Sequence, residues 1–177
     1  AASVVFKRQA HTSLDSMRIA FWLADEFHLI NRKILEPTGI IDTVQYGIGV
    51  CGELQPPLPT EDFFAKLCRE IPHTRPFFNI GKPPRMIKKI AICGGSGSAL
   101  FEEAQNFGAD CLITGDTKYH TALNVSRQNT DFAIIEVGHH SLEEEMMRRF
   151  TLLLQEKLPK VRISFISSKD PFIQIME

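Results

Sequence analysis

The run from Ile90 to Glu143 constrains this chain most. It reads as strand, glycine turn, helix, strand, polar turn, helix, strand, and then a helix start bearing two histidines and a cluster of acids. The expected elements are a strand at Lys88–Cys93, a helix at Ser98–Phe107 and a strand at Asp110–Thr114. A helix over about Thr117–Gln128, a strand at Asp131–Val137 and a helix at Leu142–Lys157 follow. In the last helix Leu142, Met146, Met147, Phe150, Leu153 and Leu154 form an apolar stripe at the helical period. Strands alternating with helices from about residue 88 predict an α/β fold, a largely parallel sheet with helices on both faces. Ligands in such folds bind beyond the carboxyl ends of the strands.

The rest of the chain is less regular. Ser3–Lys7 reads as a short strand and Ser13 to about His28 as a helix. Asn31–Pro37 reads as a connection. Thr43–Leu54 has strand character, but its three glycines predict a bent or edge strand. Gln55–Pro59 contains three prolines and reads as a rigid break. A helix from Thr60, as cap, to about Ile71 carries acids in its first turn and buries Phe63, Phe64, Leu67 and Ile71. The proline-rich stretch from His73 to Arg85 reads as loop, with a short strand at Phe77–Ile80. Val161–Ser167 reads as a closing strand.

The 177 residues suit one domain, or one and a half, and 44% hydrophobic with 23% charged residues is ordinary for a globular chain. A formal charge of −1, with no basic run, gives no reason to expect nucleic-acid binding. No apolar stretch is long enough to span a bilayer, and no signal segment opens the chain. Cys51, Cys68, Cys93 and Cys111 include no C-x-x-C pair, which argues against a thiolate zinc site and fits a reducing, cytoplasmic compartment.

Chemistry gathers at the three strand ends. Gly138 closes a strand and His139-His140-Ser141-Leu142-Glu143 opens a helix, which puts His139 and Glu143 on one face, one turn apart. An imidazole and a carboxylate so placed can grip a divalent cation. Gly94, Gly95, Ser96 and Gly97 lie between a strand and a helix. Their backbone N–H groups suit a phosphate, or they simply allow a tight turn; the sequence is neither a Walker loop nor the full dinucleotide spacing. Asp116, Lys118 and His120 end the next strand with an acid, a cation and a general acid or base. Helix capping is the simplest local job for Asp116. His11 and Asp15 follow the first strand, and an acid in the first turn of a helix often serves the dipole alone.

Together, AHTSLD (Ala10–Asp15), IKKIAICGGSGSALFEEAQNFGADCLITGDTKYHTAL (Ile87–Leu123) and GHHSLEEE (Gly138–Glu145) closely resemble the Ngg-interacting-factor-three-like family, whose members are also labelled GTP cyclohydrolase type 2 homologues. The resemblance extends to FWLADEF near the start and to the closing Lys169–Phe172 (KDPF). It implies a ring-shaped homohexamer with a dinuclear metal site, whose ligands map to Asp15, His139 and Glu143. The residues, taken with the resemblance, point to metal-assisted hydrolysis with His120 as acid or base; a nucleotide-like, phosphorylated substrate is implied by the family label alone. His11, Gly94–Gly97, Asp116 and Lys118 would be substrate contacts. Mixed nitrogen and oxygen ligands suit zinc, iron or manganese alike.

The family's His-His pair lies in an amino-terminal half that is not in this sequence, and His139-His140 is a different motif. Residues 1–54 are then expected to be a remnant of the first family domain, 60–157 the βα-repeat domain, and 158–177 a closing strand and tail. A fragment or a divergent member is the expectation, with reduced metal occupancy, and a non-enzymatic metal-binding regulator or scaffold is the alternative to a hydrolase.

Overall fold

The computed structural model describes residues 22–41, 43–72 and 76–172. Its centre is a six-stranded sheet. The strands are β1 (Ile30–Ile41), β2 (Val44–Pro59), β3 (Phe78–Gly81), β4 (Met86–Cys93), β5 (Cys111–Thr114) and β6 (Ala133–Glu136). Four α-helices alternate with them: α1 (Thr60–Glu70), α2 (Phe101–Asn106), α3 (Tyr119–Arg127) and α4 (His139–Lys157), and residues 22–26 are also helical. A 3-10 turn, Gly97–Leu100, leads into α2. The expected strand Ser3–Lys7 and the start of the first helix lie outside the described residues.

The spatial order is β1-β2-β4-β5-β6-β3. β4, β5 and β6 are neighbours and parallel, as the βα repeat predicts. The sheet as a whole is mixed rather than largely parallel, because β1/β2, β2/β4 and β3/β6 pair antiparallel. Only two residues join β1 to β2, and so short a link permits only a hairpin.

The two sides of the central strands explain the two-layered cover. Ile90 and Ile92 of β4, Cys111 and Ile113 of β5, and Ala133 and Ile135 of β6 face one way. They pack with Trp22, Leu23 and Phe27, with Phe63 and Leu67 of α1, and with Leu142 and Met146 of α4. Ala91, Cys93, Leu112 and Ile134 face the other way, against Phe101 and Ala104 of α2 and Val125 of α3. Strands buried on both faces carry near-continuous apolar runs, which is why IAIC, CLIT and AIIE are so easily read as strands.

Three expectations give way. Asn31–Pro37 is not a connection but part of β1. Its apolar signal is diluted because β1 is the outermost strand, and only an edge tolerates Pro37, which has no N–H to donate. Gln55–Pro59 does not end the strand: Pro56 and Pro57 fall where the β2/β4 register slips between Glu53 and Leu58, and pairing resumes at Leu58 and Pro59. Val161–Ser167 is not a strand. Two of its backbone groups go instead to one α4 side chain: Gln155 donates to the Val161 carbonyl at 3.1 Å and accepts from the Ile163 N–H at 3.1 Å.

Candidate functional site

Three parallel strands end side by side, and each is followed by a glycine-bearing turn. After β5, Thr114 is fully buried; its Oγ1 donates to the Gly95 carbonyl at 3.2 Å and accepts from the Gly97 N–H at 2.9 Å. The Gly95 carbonyl also accepts the N–H groups of Gly115, at 2.9 Å, and Asp116, at 3.1 Å. The turns after β4 and β5 are thereby tied together. A Cβ at Gly115 would fall 2.7 Å from the Gly95 oxygen and 2.9 Å from the His139 Cα, so only glycine allows the third turn to close on the other two. Gly95 and Gly138 adopt φ values of +62° and +86°, the left-handed region in which glycine is not strained.

His139 stands at the first position of α4, where Gly138 turns the chain out of β6. Its Nε2 lies 2.8 Å from Glu143 Oε1, and its Nδ1 is hydrogen-bonded to Asp116 Oδ2. The predicted one-turn spacing thus brings His139 and Glu143 into contact. The Glu143 side chain is only 7% exposed, against 37% for His139 and 40% for Asp116, so the imidazole bridges a sheltered carboxylate and a wetter one. Burial opposes the imidazolium. The hydrogen bond that Nδ1–H donates to Asp116 and the charges of Glu143 and Asp116 outweigh it, and the His139 pKa sits above the ordinary imidazole value. The glycine turn lies against the pair: a Cβ at Gly95 would be 3.7 Å from His139 Cε1 and 3.9 Å from Glu143 Oε1.

Of the other predicted residues, Asp116 makes no side-chain cap on α3, whose start at Lys118 is uncapped, and turns to His139 instead. Lys118 is exposed, with its N–H donating to Ser98 Oγ at 3.2 Å. His120 is exposed on the first turn of α3, its ring edge-on to Tyr119 at 5.7 Å. His11 and Asp15 lie outside the described residues. The neighbouring His140 and Glu144 hold the tail: His140 Nε2 lies 3.1 Å from the Ser168 carbonyl, and Glu144 accepts the Ser168 N–H at 3.0 Å. Sequence reasoning missed this contact, and no local pattern announces a pairing across 28 residues.

Ligands sharing one ion, each about 2.1 Å from it, sit roughly 3 Å apart. The His139–Glu143 approach matches that spacing, and an N/O donor pair suits a borderline divalent ion. The fit is partial, because among the described residues no group of three or more His, Cys, Asp and Glu side chains is arranged to hold a metal. Burial pushes the Cys51 thiol up to about 11 and that of Cys93 up to about 12, so neither is a thiolate at neutral pH. A separate groove of about 410 Å³, lined by Arg32, Lys33, Glu53, Lys89 and others, includes none of the predicted site residues.

The sequence profile of the family described as Duf34/NIF3 (NGG1p interacting factor 3) matches residues 8–171. The chain belongs to this family. Among its relatives, a Staphylococcus epidermidis protein named GTP cyclohydrolase 1 type 2 homolog is 32% identical over a 165-residue alignment that covers 86% of this chain and 43% of that one. A Staphylococcus aureus protein of the same name is 32% identical over a 157-residue alignment that covers 85% of this chain and 41% of its own length. The chain therefore spans less than half the length of these curated relatives. Among solved structures, the Staphylococcus aureus hypothetical protein SA1388 superposes with a TM-score of 0.68 at 27% identity, over 89% of this chain and 64% of that one. A Bacillus cereus protein related to NIF3 gives 0.71 at 18% identity, over 89% and 69%. Reduced HcgD from Methanocaldococcus jannaschii gives 0.61 at 19%, over 79% and 52%; these last two show the fold alone.

Proposed function

We propose that the protein is a metal-dependent hydrolase acting on a nucleotide-like, phosphorylated substrate, and that the turns after β4, β5 and β6 carry part of a divalent-metal centre. The observation that carries this reading is the 2.8 Å approach of His139 Nε2 and Glu143 Oε1 at the carboxyl ends of parallel strands. Family membership supports it, as does the name GTP cyclohydrolase 1 type 2 homolog given to the staphylococcal relatives. His139 and Glu143 would hold the ion, with Asp15 as the third protein ligand. Zinc, iron and manganese all suit such a donor set. When bound, the ion would acidify a water and polarise the bond to be cleaved. The chain's own contributions are a fixed imidazole, a sheltered carboxylate and a glycine turn packed beside them. Lys118 and His11 are the proposed partners of substrate charge, and His120 the proposed acid or base. Self-association, as a ring-shaped homohexamer in the cytoplasm, belongs to the same reading.

Elemental analysis of the purified protein, followed by a GTP hydrolysis assay with and without His139→Ala, tests it. A divalent metal and turnover, both lost in the variant, are expected. Absence of metal would overturn the reading. Metal without turnover would favour a non-enzymatic metal-binding scaffold.

A further inference from the structure

The imidazole of His139 is held from both sides, and the two sides differ in kind. Glu143 is on the same helix, one turn on, and meets Nε2. Asp116 comes from another strand end, 23 residues earlier in the chain, and meets Nδ1. Its loop is unusually well fastened. Gly115 and Asp116 both donate their N–H groups to the Gly95 carbonyl. Thr117 donates to Glu136 Oε2 at 2.9 Å, and Lys118 to the buried Ser98 Oγ at 3.2 Å. Four consecutive backbone N–H groups are thus taken by acceptors on the turn after β4, the 3-10 turn that follows it, and the end of β6. A side chain on such a loop is placed before any ligand arrives.

We propose that Asp116 is a positioning residue: it takes the Nδ1–H of His139, fixes the ring's orientation, and leaves Nε2 as the only nitrogen able to meet a cation shared with Glu143. The two nitrogens of an imidazole point to different sides, and whichever is engaged by a carboxylate dictates which is left for a metal. A carboxylate behind a ligating histidine also makes the ring a better donor, and losing it costs roughly 10- to 100-fold in metal affinity. The metal part of this inference rests on the reading of His139 and Glu143 as ligands; the hydrogen-bond part does not.

The test has two arms on the intact protein. Zinc affinity is measured by chelator competition for wild type, Asp116→Ala and Asp116→Asn, and the hydrogen-bonded Nδ1–H of His139 is followed by NMR in the metal-free proteins. Asn keeps an acceptor oxygen for the Nδ1–H while losing the charge, and so separates orientation from folding damage. The expected result is a tenfold or greater loss of zinc affinity and loss of the Nδ1–H resonance in Asp116→Ala. Asp116→Asn should retain the resonance and most of the affinity. Wild-type affinity in Asp116→Ala, or an undisturbed Nδ1–H resonance there, would overturn the proposal even if zinc binds. Failure of wild type to bind zinc, with a resonance that still depends on Asp116, would remove the metal reading and leave the positioning role standing.

Discussion

If His139 ligates the proposed ion, the site should respond to pH in opposite ways with and without metal. In the metal-free protein its pKa is raised, chiefly against burial, by Asp116 and Glu143. A raised folded-state pKa contributes stability that is fully present below the unfolded value of about 6.5 and is lost as pH rises through the folded value. A metal needs the neutral ring, so its binding weakens as pH falls through that same raised value. Thermal melting across pH 5 to about 9, with and without zinc, should show the metal's stabilising increment growing toward alkaline pH. An increment independent of pH would remove His139 from the ligand set. Gly115 makes a second, steric prediction. An alanine Cβ there meets two backbone atoms, the Gly95 oxygen and the His139 Cα, neither of which yields without moving a turn. Gly115→Ala should cost about 1–3 kcal/mol in denaturant unfolding, as overpacking does, and weaken metal binding as well. At this scale the sequence was informative wherever the contact is local. The four-residue spacing of His139 and Glu143 is legible from helix geometry alone. The partnership of His139 with Asp116 is not, because it depends on which strand ends lie together.

Among the elements, those with regular apolar periods were legible and those at the margins of the sheet were not. The period over Phe63–Ile71 predicts α1, and Phe63, Leu67 and Ile71 are indeed fully or almost fully buried. Phe63→Ala should therefore cost about 3–5 kcal/mol, the range for a core aromatic also packed edge-to-face or tilted on a neighbour, here Phe27 at 5.4 Å. Phe64, only partly buried, should cost clearly less. Equal losses in chemical denaturation would show that the amphipathic face is misassigned. The expected cap failed at the same helix: Thr60 is its first residue rather than its cap, and its hydroxyl bonds the Pro84 carbonyl. β1 and the proline-bearing end of β2 were missed because an edge strand mixes charged and apolar residues and admits Pro37. The acidic run Glu143–Glu145 has the composition of a solvated face, yet Glu143 and Glu145 are buried. Glu145 is matched by Arg148 and Arg149, and Arg149 also pairs with Glu26 and lies 4.5 Å above the Trp22 ring. Two arginines from the following turn make that burial tolerable, since a buried carboxylate must be paired.

For the whole molecule the question is what covers its outer strands. β1 and β3 end the sheet, and among the described residues no strand pairs with their outer sides. Both carry exposed apolar side chains, Ile40 at 70% and Phe78 at 52% exposed, and the tail adds Ile166 at 86% and Phe172 at 71%. Open strand edges bearing apolar residues template pairing with another chain, and such surface on a lone subunit marks an interaction site. The expected outcome is self-association in solution, with a mass by light scattering several times the 20.0 kDa of the chain. Ile40→Lys together with Phe78→Lys should shift that mass toward the monomer, because a lysine on an edge opposes further pairing. Metal content belongs to the same experiment. With His139 and Glu143 the donors that converge among the described residues, fewer than two tightly held ions per chain are expected. Positions left open would be filled by water or by a neighbouring subunit, so loss of assembly in the double variant should lower metal retention too. A well-behaved monomer holding two tightly bound ions per chain would show that the outer strands need no partner and that this reading of the assembly is wrong.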